Sequence, residues 1–333
     1  MAVFLARRIA QGLIVIALVA TIVFFLIHAA PGDPFSAAME KPEITEAVRQ
    51  AWRRAYGLDR PVAEQYFRYV TSVFRGDLGF SFSRHRPVID ALGDAIPNTL
   101  LLMVSGLVGG FAIGIATALV QVRRRGRAAD KILGGLSLTF LSVPDFWLAM
   151  LMLVGFTYWL PNSPIGSWLP NIPIGGSIDA HVYDSLGPLG RLGDRLKHLA
   201  LPAVTLMLLY FPIIARHQKA ALLDVLPLEY VTTARAKGVS ERRVINRHAL
   251  RNALLPIITL LGVAFPALLT GAVFVEKVFS WPGMGLLIVD TIHSRDYPLL
   301  TAAVILGSAF VVTGSIIADI LYRRFDPRLR DEL

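Results

Sequence analysis

Six apolar stretches dominate the chain, separated by segments in which charge, proline and glycine collect: Ile9 to Ala30, Thr99 to Val122, Ile132 to Leu160, Leu199 to Ala215, Ala253 to Val275 and Leu299 to Tyr322. Most of them supply the roughly 20 predominantly apolar residues that a helix needs to cross a hydrocarbon core. The fourth is the shortest and weakest. This pattern predicts an all-α membrane protein with six transmembrane helices. A polar insert, Pro31 to Pro97, follows the first span and is too long for a plain connection. Within it, Pro42 to Tyr56 and Val62 to Phe74 have helical spacing with aromatics, broken by Gly57-Leu58-Asp59-Arg60-Pro61. It is either a helical cap on the membrane surface or a surface for a partner.

The chain therefore divides into an N-terminus with the first transmembrane helix (1–30), the insert (31–97), a transmembrane core (98–322) holding a polar loop at 216–252, and a tail (323–333). The first span is long for a signal peptide, whose apolar core runs roughly 7 to 15 residues, and Pro31 would follow directly after a cut at Ala30. It is expected to stay as a membrane helix.

Composition agrees: 54% of residues are hydrophobic and 17% charged, and the mean hydropathy is +0.57. The net charge of +9 is unevenly placed. With both termini and the loops after spans two and four on one side, that side carries 19 Lys and Arg against 7 acids, and the other 14 against 15. Loops retained in the cytoplasm are Lys- and Arg-rich, so both termini are predicted to be cytoplasmic and the insert extracytoplasmic. The basic residues flank spans and lack the aromatic interleaving of a single-strand groove, so nucleic acid is not an expected partner. The absence of cysteine excludes disulfides and thiolate metal sites within this chain.

Local motifs refine the picture. Gly106, Gly110 and Gly114 form one flat stripe where another helix can approach closely, and packing is the reading preferred over ligand binding. Span three is interrupted at Ser142-Val143-Pro144-Asp145-Phe146-Trp147, where a charge near mid-membrane should face protein or water. Pairing of Asp145 with a neighbouring polar group is preferred over a substrate role. Pro161 to His198 is read as an irregular connection and Phe279 to Gly285 as a tight re-entry at the outer interface. His293, Arg295, Asp296 and Tyr297 are read as a hydrogen-bonded cluster, since no second His stands at metal-ligand spacing.

The most informative segment lies in loop 216–252. Pro227 suits a first helical turn, Glu229 complements the helix N-terminus, Lys237 sits in the last turn and Gly238 stands where a left-handed residue would end the helix, predicting a helix from Pro227 to Lys237. Ser240 can cap a second helix running through Arg251. Ala234 and Gly238, four apart, would leave a low face for another protein. This is a docking pattern rather than a catalytic one.

The docking segment, with Ala6-Arg7-Arg8, Pro31-Gly32-Asp33-Pro34, Tyr56 to Pro61, Gly76-Asp77-Leu78-Gly79, Phe279 to Gly283, Arg295-Asp296-Tyr297-Pro298 and Asp326-Pro327-Arg328, resembles the ABC-transporter permeases of the dipeptide/oligopeptide type, a group that includes nickel and glutathione importers. The resemblance covers nearly the whole chain and implies the fold of a type I ABC importer permease in a plasma membrane. The general importer pattern has a Glu-Ala-Ala triplet six to four residues before the Gly, where Thr232-Thr233-Ala234 stand here, and its Pro about a dozen after, where Pro256 lies farther on. Glu229, Tyr230, Thr233, Ala234, Arg235, Ala236, Lys237, Gly238, Arg251 and Asn252 are thereby expected to couple to an ATPase, and Asp145, Phe146 and Trp147 to border the translocation pathway. The chain has no phosphate loop of the Gly-x-x-x-x-Gly-Lys-Ser/Thr kind, so no enzymatic activity or cofactor is expected in it. ATP and Mg would be bound by two partner ABC ATPase subunits. A second homologous permease, an extracytoplasmic substrate-binding protein and membrane lipid complete the implied partners. The competing readings are an ion-coupled secondary transporter, a structural scaffold, or an importer of the same family for nickel, glutathione or oligosaccharide.

Overall fold

A computed structural model describes residues 2–29, 47, 50, 59–164, 172–264 and 272–325. Helices make up nearly all of it. Four are long and apolar enough to cross a membrane: within α1 (Ala2–Ala29), α3 (Val88–Arg123), α6 (Pro188–Val225) and α13 (Tyr297–Phe325). A fifth span is available if α4 (Ala128–Ser142) and α5 (Asp145–Val154), the latter continued by a π-helical turn to Trp159, count as one. They meet at a 105° bend, at the interruption expected around Pro144. Val143 is extended because it precedes Pro144, and Pro144 cannot supply the N–H that would carry the helix through. The expected span Ala253 to Val275 is described only in part, by α10 (Leu255–Ala264) and the start of α11 (Val273–Val278). The expected insert helix Pro42 to Tyr56 lies almost wholly outside the described residues, whereas Val62–Phe74 forms α2 with the bounds its spacing predicted.

The longest helix, α6, corrects two expectations. α6, expected to be the weakest span, is a helix of 38 residues, and its first turns occupy part of the segment read as an irregular connection. The cause is composition: Arg191, Asp194, Arg195 and Lys197 lower the hydropathy of its start without lowering its helicity. α3 has 36 residues. At about 1.5 Å per residue both exceed the ~30 Å hydrocarbon core, so each projects beyond it.

α3 and α6 make the most extensive helix–helix contact, and the glycine stripe is its seam. A Cβ at Gly106 would lie 2.5 Å from Cβ of Leu206, one at Gly110 2.7 Å from Cβ of Tyr210, and one at Gly114 2.7 Å from Cβ of Ile214. The register advances in the same direction on both helices, so they run parallel. Around this seam lies a core that includes Leu102, Met103, Leu206, Val275, Phe279 and Trp281. At one projecting end, Val88, Ala91, Leu92 and Ala95 of α3 pack on Met284 and Leu287 of α12 (Met284–Ser294) and on Leu299, Ala302 and Ala303 of α13. At the other, Ala118, Val122 and Leu222 pack on Ile245, Ala249 and Ala253. α1 lies outside this assembly against α13, antiparallel to it, with Gly12 beside Val312 and Arg8 in a 2.9 Å ion pair with Asp319.

One element departs from an all-helical reading. Phe80–Ser81 and Arg86–Pro87 pair as a minimal antiparallel hairpin, β1 and β2, whose position is set by Asp296. The Asp296 carboxylate accepts from Ser81 Oγ at 2.6 Å, Ser83 N at 2.8 Å and Ser83 Oγ at 2.7 Å, and from Leu299 N at 3.3 Å, so it also caps α13. The cluster expected among His293, Arg295, Asp296 and Tyr297 is replaced by this one, in which Asp296 binds serines some 215 positions away along the chain. Among the described residues His293 bonds back to Val289 O in its own helix.

Gly110→Leu should lower the yield and thermal stability of the folded chain, because the added side chain has no room before Tyr210 and overpacking costs about 1–3 kcal/mol even where relaxation is possible. Unchanged yield and melting temperature would contradict the seam.

Candidate coupling site

The expected docking segment folds as a helical hairpin. Its first arm, α7, spans Glu229–Ala236, slightly shorter than predicted: Leu228 is the N-cap and Pro227 precedes it, because Leu228 N bonds back to Val225 O in a turn. The exit is as predicted. Gly238 has φ +76°, Gly238 N bonds to Arg235 O at 2.9 Å and Val239 N to Ala234 O at 3.3 Å, the paired bonds of a Schellman cap. Val239 then packs beside Val231, Ala234 and Val244. Ser240 occupies the N-cap position of the second arm without a side-chain capping bond; Arg243 N and Val244 N take its carbonyl. That arm runs through α8 (Glu241–Arg243), a π-helical stretch Val244–Ala249 and α9 (Leu250–Ala253).

Side-chain placement revises the expected docking face. Ala234 is buried in the hairpin's own core, so the low face imagined across Ala234 and Gly238 does not exist. Facing inward is the consequence of packing against Val244, a partner ten residues on. The outward face of α7 carries Glu229, Thr233 and Ala236 at i, i+4 and i+7, with Lys237 and Gly238 beyond and the half-exposed Leu228 and Tyr230 at its start. Arg235 turns back: its Nε and Nη2 donate to Glu241 at 3.0 and 2.8 Å, and Nη1 donates to Leu226 O at 3.2 Å. Tyr230 and Asn252 are brought together, Asn252 Nδ2 donating to the Tyr230 hydroxyl at 2.8 Å. Arg251 is exposed beside Asn252.

The hairpin is fastened to the ends of two long helices, one of which is in turn tied to α4. Gln218 of α6 donates to Ala253 O at 3.1 Å, Arg123 of α3 donates to Asn246, and Lys219 of α6 binds Asp130 of α4 at 2.6 Å. Sequence reading missed all three, since each partner lies far away along the chain. A displacement of the hairpin is therefore passed to α3 and α6 directly, and to α4 through Lys219 of α6.

Asp145, Phe146 and Trp147 are not part of that cluster. They open α5 just after the bend and are exposed, Asp145 at the first helical position, where a carboxylate complements the helix's positive end. Among the described residues no hydrogen bond or ion pair reaches its carboxylate, and the expected pairing with a neighbouring polar group is not seen among them. Phe146 approaches Phe274, with ring centroids 6.1 Å apart.

A further group that sequence reading passed over lies under the Phe279 to Gly285 turn. Glu276 is fully buried and accepts from Thr99 Oγ1 at 2.9 Å and Leu286 N at 3.0 Å, while Met284 N donates to Thr99 Oγ1 at 2.7 Å. Trp281 Nε1 donates to Asn98 O at 2.9 Å, and a Cβ at Gly283 would lie 2.5 Å from Glu276 Oε2. The tight turn predicted there is present, with Ser280 at φ +49°. The only signal for its anchor was an acid at the edge of an apolar run.

Bundled membrane helices, a bent helix pair and a surface hairpin tied to the helix ends are the parts of a multi-pass permease of the type I ABC importer class. Comparison with known families agrees. Residues 110–331 match the family described as binding-protein-dependent transport system inner membrane component, and residues 1–103 match its N-terminal companion, so the chain belongs to this family of inner-membrane transport proteins. It is 35% identical over 330 residues to the oligopeptide transport system permease protein AppB of Bacillus subtilis, covering 99% of both chains. It is 35% identical over 326 residues to a putative peptide permease of Brucella ovis, covering 97% of this chain and 98% of that one. To the glutathione transport system permease protein GsiC of Escherichia coli O6:H1 it is 34% identical over 316 residues, 94% of each.

The Arg235 bond holds the Glu241 carboxyl below its ordinary value of 4.5, so the pair contributes stability above that value and loses it as pH falls through the lowered one. Glu241→Gln should speed amide exchange across 235–243 at neutral pH, and the difference from wild type should shrink in acid. Equal protection at neutral pH would remove this pair from the hairpin's closure.

Proposed function

We propose that this chain is the membrane-spanning subunit of an ATP-driven importer for peptides or peptide-like solutes, forming half of a pathway completed by a second homologous permease. The observation that carries this reading is the hairpin 229–253, presented outward by Glu229, Thr233, Ala236 and Lys237 and tied inward to α3 and α6. Such an element receives a push and passes it to the spans as rigid bodies. Two ATPase subunits supply the push, with ATP and Mg bound by them, and this chain performs no chemistry. The Lys- and Arg-rich loops support a cytoplasmic hairpin and termini and an insert outside, where a substrate-binding protein delivers solute. Asp145, Phe146 and Trp147 then border the pathway, because they are exposed at a bent span. The peptide class is supported by the relatives named for oligopeptide, peptide and glutathione transport.

An ion-coupled carrier is disfavoured. The family match is to components of binding-protein-dependent transport systems, and of Asp145 and Asp319, the acids within the expected spans, Asp319 is already paired with Arg8 at 2.9 Å.

Gly238→Val tests the coupling role. A side chain there meets open space, so the penalty comes from the left-handed backbone alone, about 1–2 kcal/mol for a non-glycine residue. Reconstituted with its partners, the variant should insert and bind the substrate-binding protein, but lose uptake and retain less ATPase. Wild-type uptake with full ATPase retention would sink the coupling role. Orientation is tested separately. The chain lacks cysteine, so Arg75→Cys gives a unique label site at the end of α2. An impermeant maleimide should react from outside in intact cells; reaction only after the inner face is opened would reverse the topology.

A further inference from the structure

Where α2 leans on the outer halves of α1 and α13, a cavity of about 420 Å³ remains, within the roughly 300–1,000 Å³ range of small-molecule sites. α2 is held there by Tyr66, whose hydroxyl meets Thr21 Oγ1 at 2.7 Å, and by Gln65, which meets His28 Nε2 at 3.1 Å. One part of the wall is apolar: Phe24 and Ile27 from α1, Val73 from α2, Ala302 and Ile305 from α13. The other carries Arg68, Ser72 and Asp77. Between them stands Tyr69, its ring stacked on Phe24 at 5.4 Å and its hydroxyl buried without a hydrogen-bond partner among the described residues. A buried hydroxyl left unpaired costs about 1–3 kcal/mol and calls for an occupant that satisfies it.

The surroundings identify that occupant's chemistry. α1 turns Leu18, Ile22, Phe25 and Leu26 outward, and α2 turns Phe67 and Phe74 outward at 68% and 77% exposure, the signature of elements bordered by acyl chains and headgroups. An apolar wall ending in one cation and one anion, Arg68 and Asp77, matches a molecule with an acyl chain, a phosphate and an ammonium. We propose that this cavity is a binding site for a zwitterionic phosphoglyceride, with an acyl chain along Phe24, Ile27 and Ile305, the phosphate at Arg68 and the Tyr69 hydroxyl, and the headgroup ammonium at Asp77. The lipid bridges α2 to both spans and so holds the insert against the bundle. This site is independent of which solute is transported and of the coupling hairpin, so failure of either assignment leaves it standing.

The test uses the complete transporter in bilayers of phosphatidylethanolamine and phosphatidylglycerol in equal amounts. A photoreactive benzoylphenylalanine is placed at Val73 inside the cavity, with Val15 on the outer flank of α1 as the bulk-lipid control. Lipid adducts at Val73 should be enriched in phosphatidylethanolamine over those at Val15, and inorganic phosphate should not compete. Tyr69→Phe, which keeps the ring stack, and Arg68→Gln should each lower adduct yield about threefold to tenfold, the worth of one hydrogen bond or slightly more. Asp77→Asn should shift adducts toward phosphatidylglycerol. Adducts of bulk composition, no lipid adduct, yields unmoved by Tyr69→Phe and Arg68→Gln, competition by phosphate, or a wild-type preference for phosphatidylglycerol would each overturn the proposal.

Discussion

The close approach of α3 and α6 is the constraint on which the rest of the molecule depends. Lipid is as apolar as leucine, so helices in a bilayer gain little by hiding side chains from it and associate through fit. Three glycines one turn apart let the two backbones come together along a parallel seam, with Leu206, Tyr210 and Ile214 laid over Gly106, Gly110 and Gly114. Parallel running has a topological consequence. The chain must cross back between them, and the bent pair α4 and α5 makes that return. Because both seam helices exceed the hydrocarbon thickness, their ends stand clear of it, and each end nucleates its own apolar cluster.

Polar anchors at the two ends then lock elements that apolar packing alone would leave free to slide. At the hairpin end these are Gln218 on Ala253, Arg123 on Asn246 and Lys219 on Asp130. At the other they are Glu276 under the re-entrant turn and Asp296 under β1 and β2. A directional bond fixes register where a methyl contact does not, and a buried carboxylate stripped of its donors is costly enough that the local chain keeps the geometry. The seam sets how the spans lie, and the anchors decide which surface elements move with them.

How much of this was legible in the sequence follows from the range of each interaction. Local rules worked where the structure is locally decided. The spacing of Val62 to Phe74 produced its helix, Gly238 and Lys237 marked the end of α7, Pro144 marked the bend, and the glycine stripe marked a packing face. Hydropathy failed at the start of α6, where charged residues sit in a helix that continues past the apolar stretch. The direction of Ala234 depended on Val244 and Val239, so spacing alone turned it the wrong way. The π-helical stretch at Val244–Ala249 leaves no periodic trace, and the left-handed residues Ser280 and Arg295 are not glycines. Pairs such as Arg8 with Asp319 and Thr99 with Glu276 join residues with no local signal linking them. Of the candidate site, the hairpin and its cap were readable, and the bonds that tie it to α3 and α6 were not.

Those ties also account for why a hairpin of this kind suits coupling. A surface element that flexed independently would absorb a push without moving the spans. Here the apolar core shared by Val231, Ala234 and Val244 and the Arg235–Glu241 pair stiffen the hairpin internally. The second arm enters the membrane core through Ala253 and α10 with little intervening loop, and Gln218 grips that junction from α6. The π-helical stretch lies between the hairpin's tip and the grip, with Ile245 and Ala249 buried against α3 and α6. An extra residue in a helical turn rotates the face that follows it, which lets one continuous arm present Val244 to α7 and Ala253 to α6. The local departure from regular helix is thus what allows a single segment to pack on both the first arm of the hairpin and the spans.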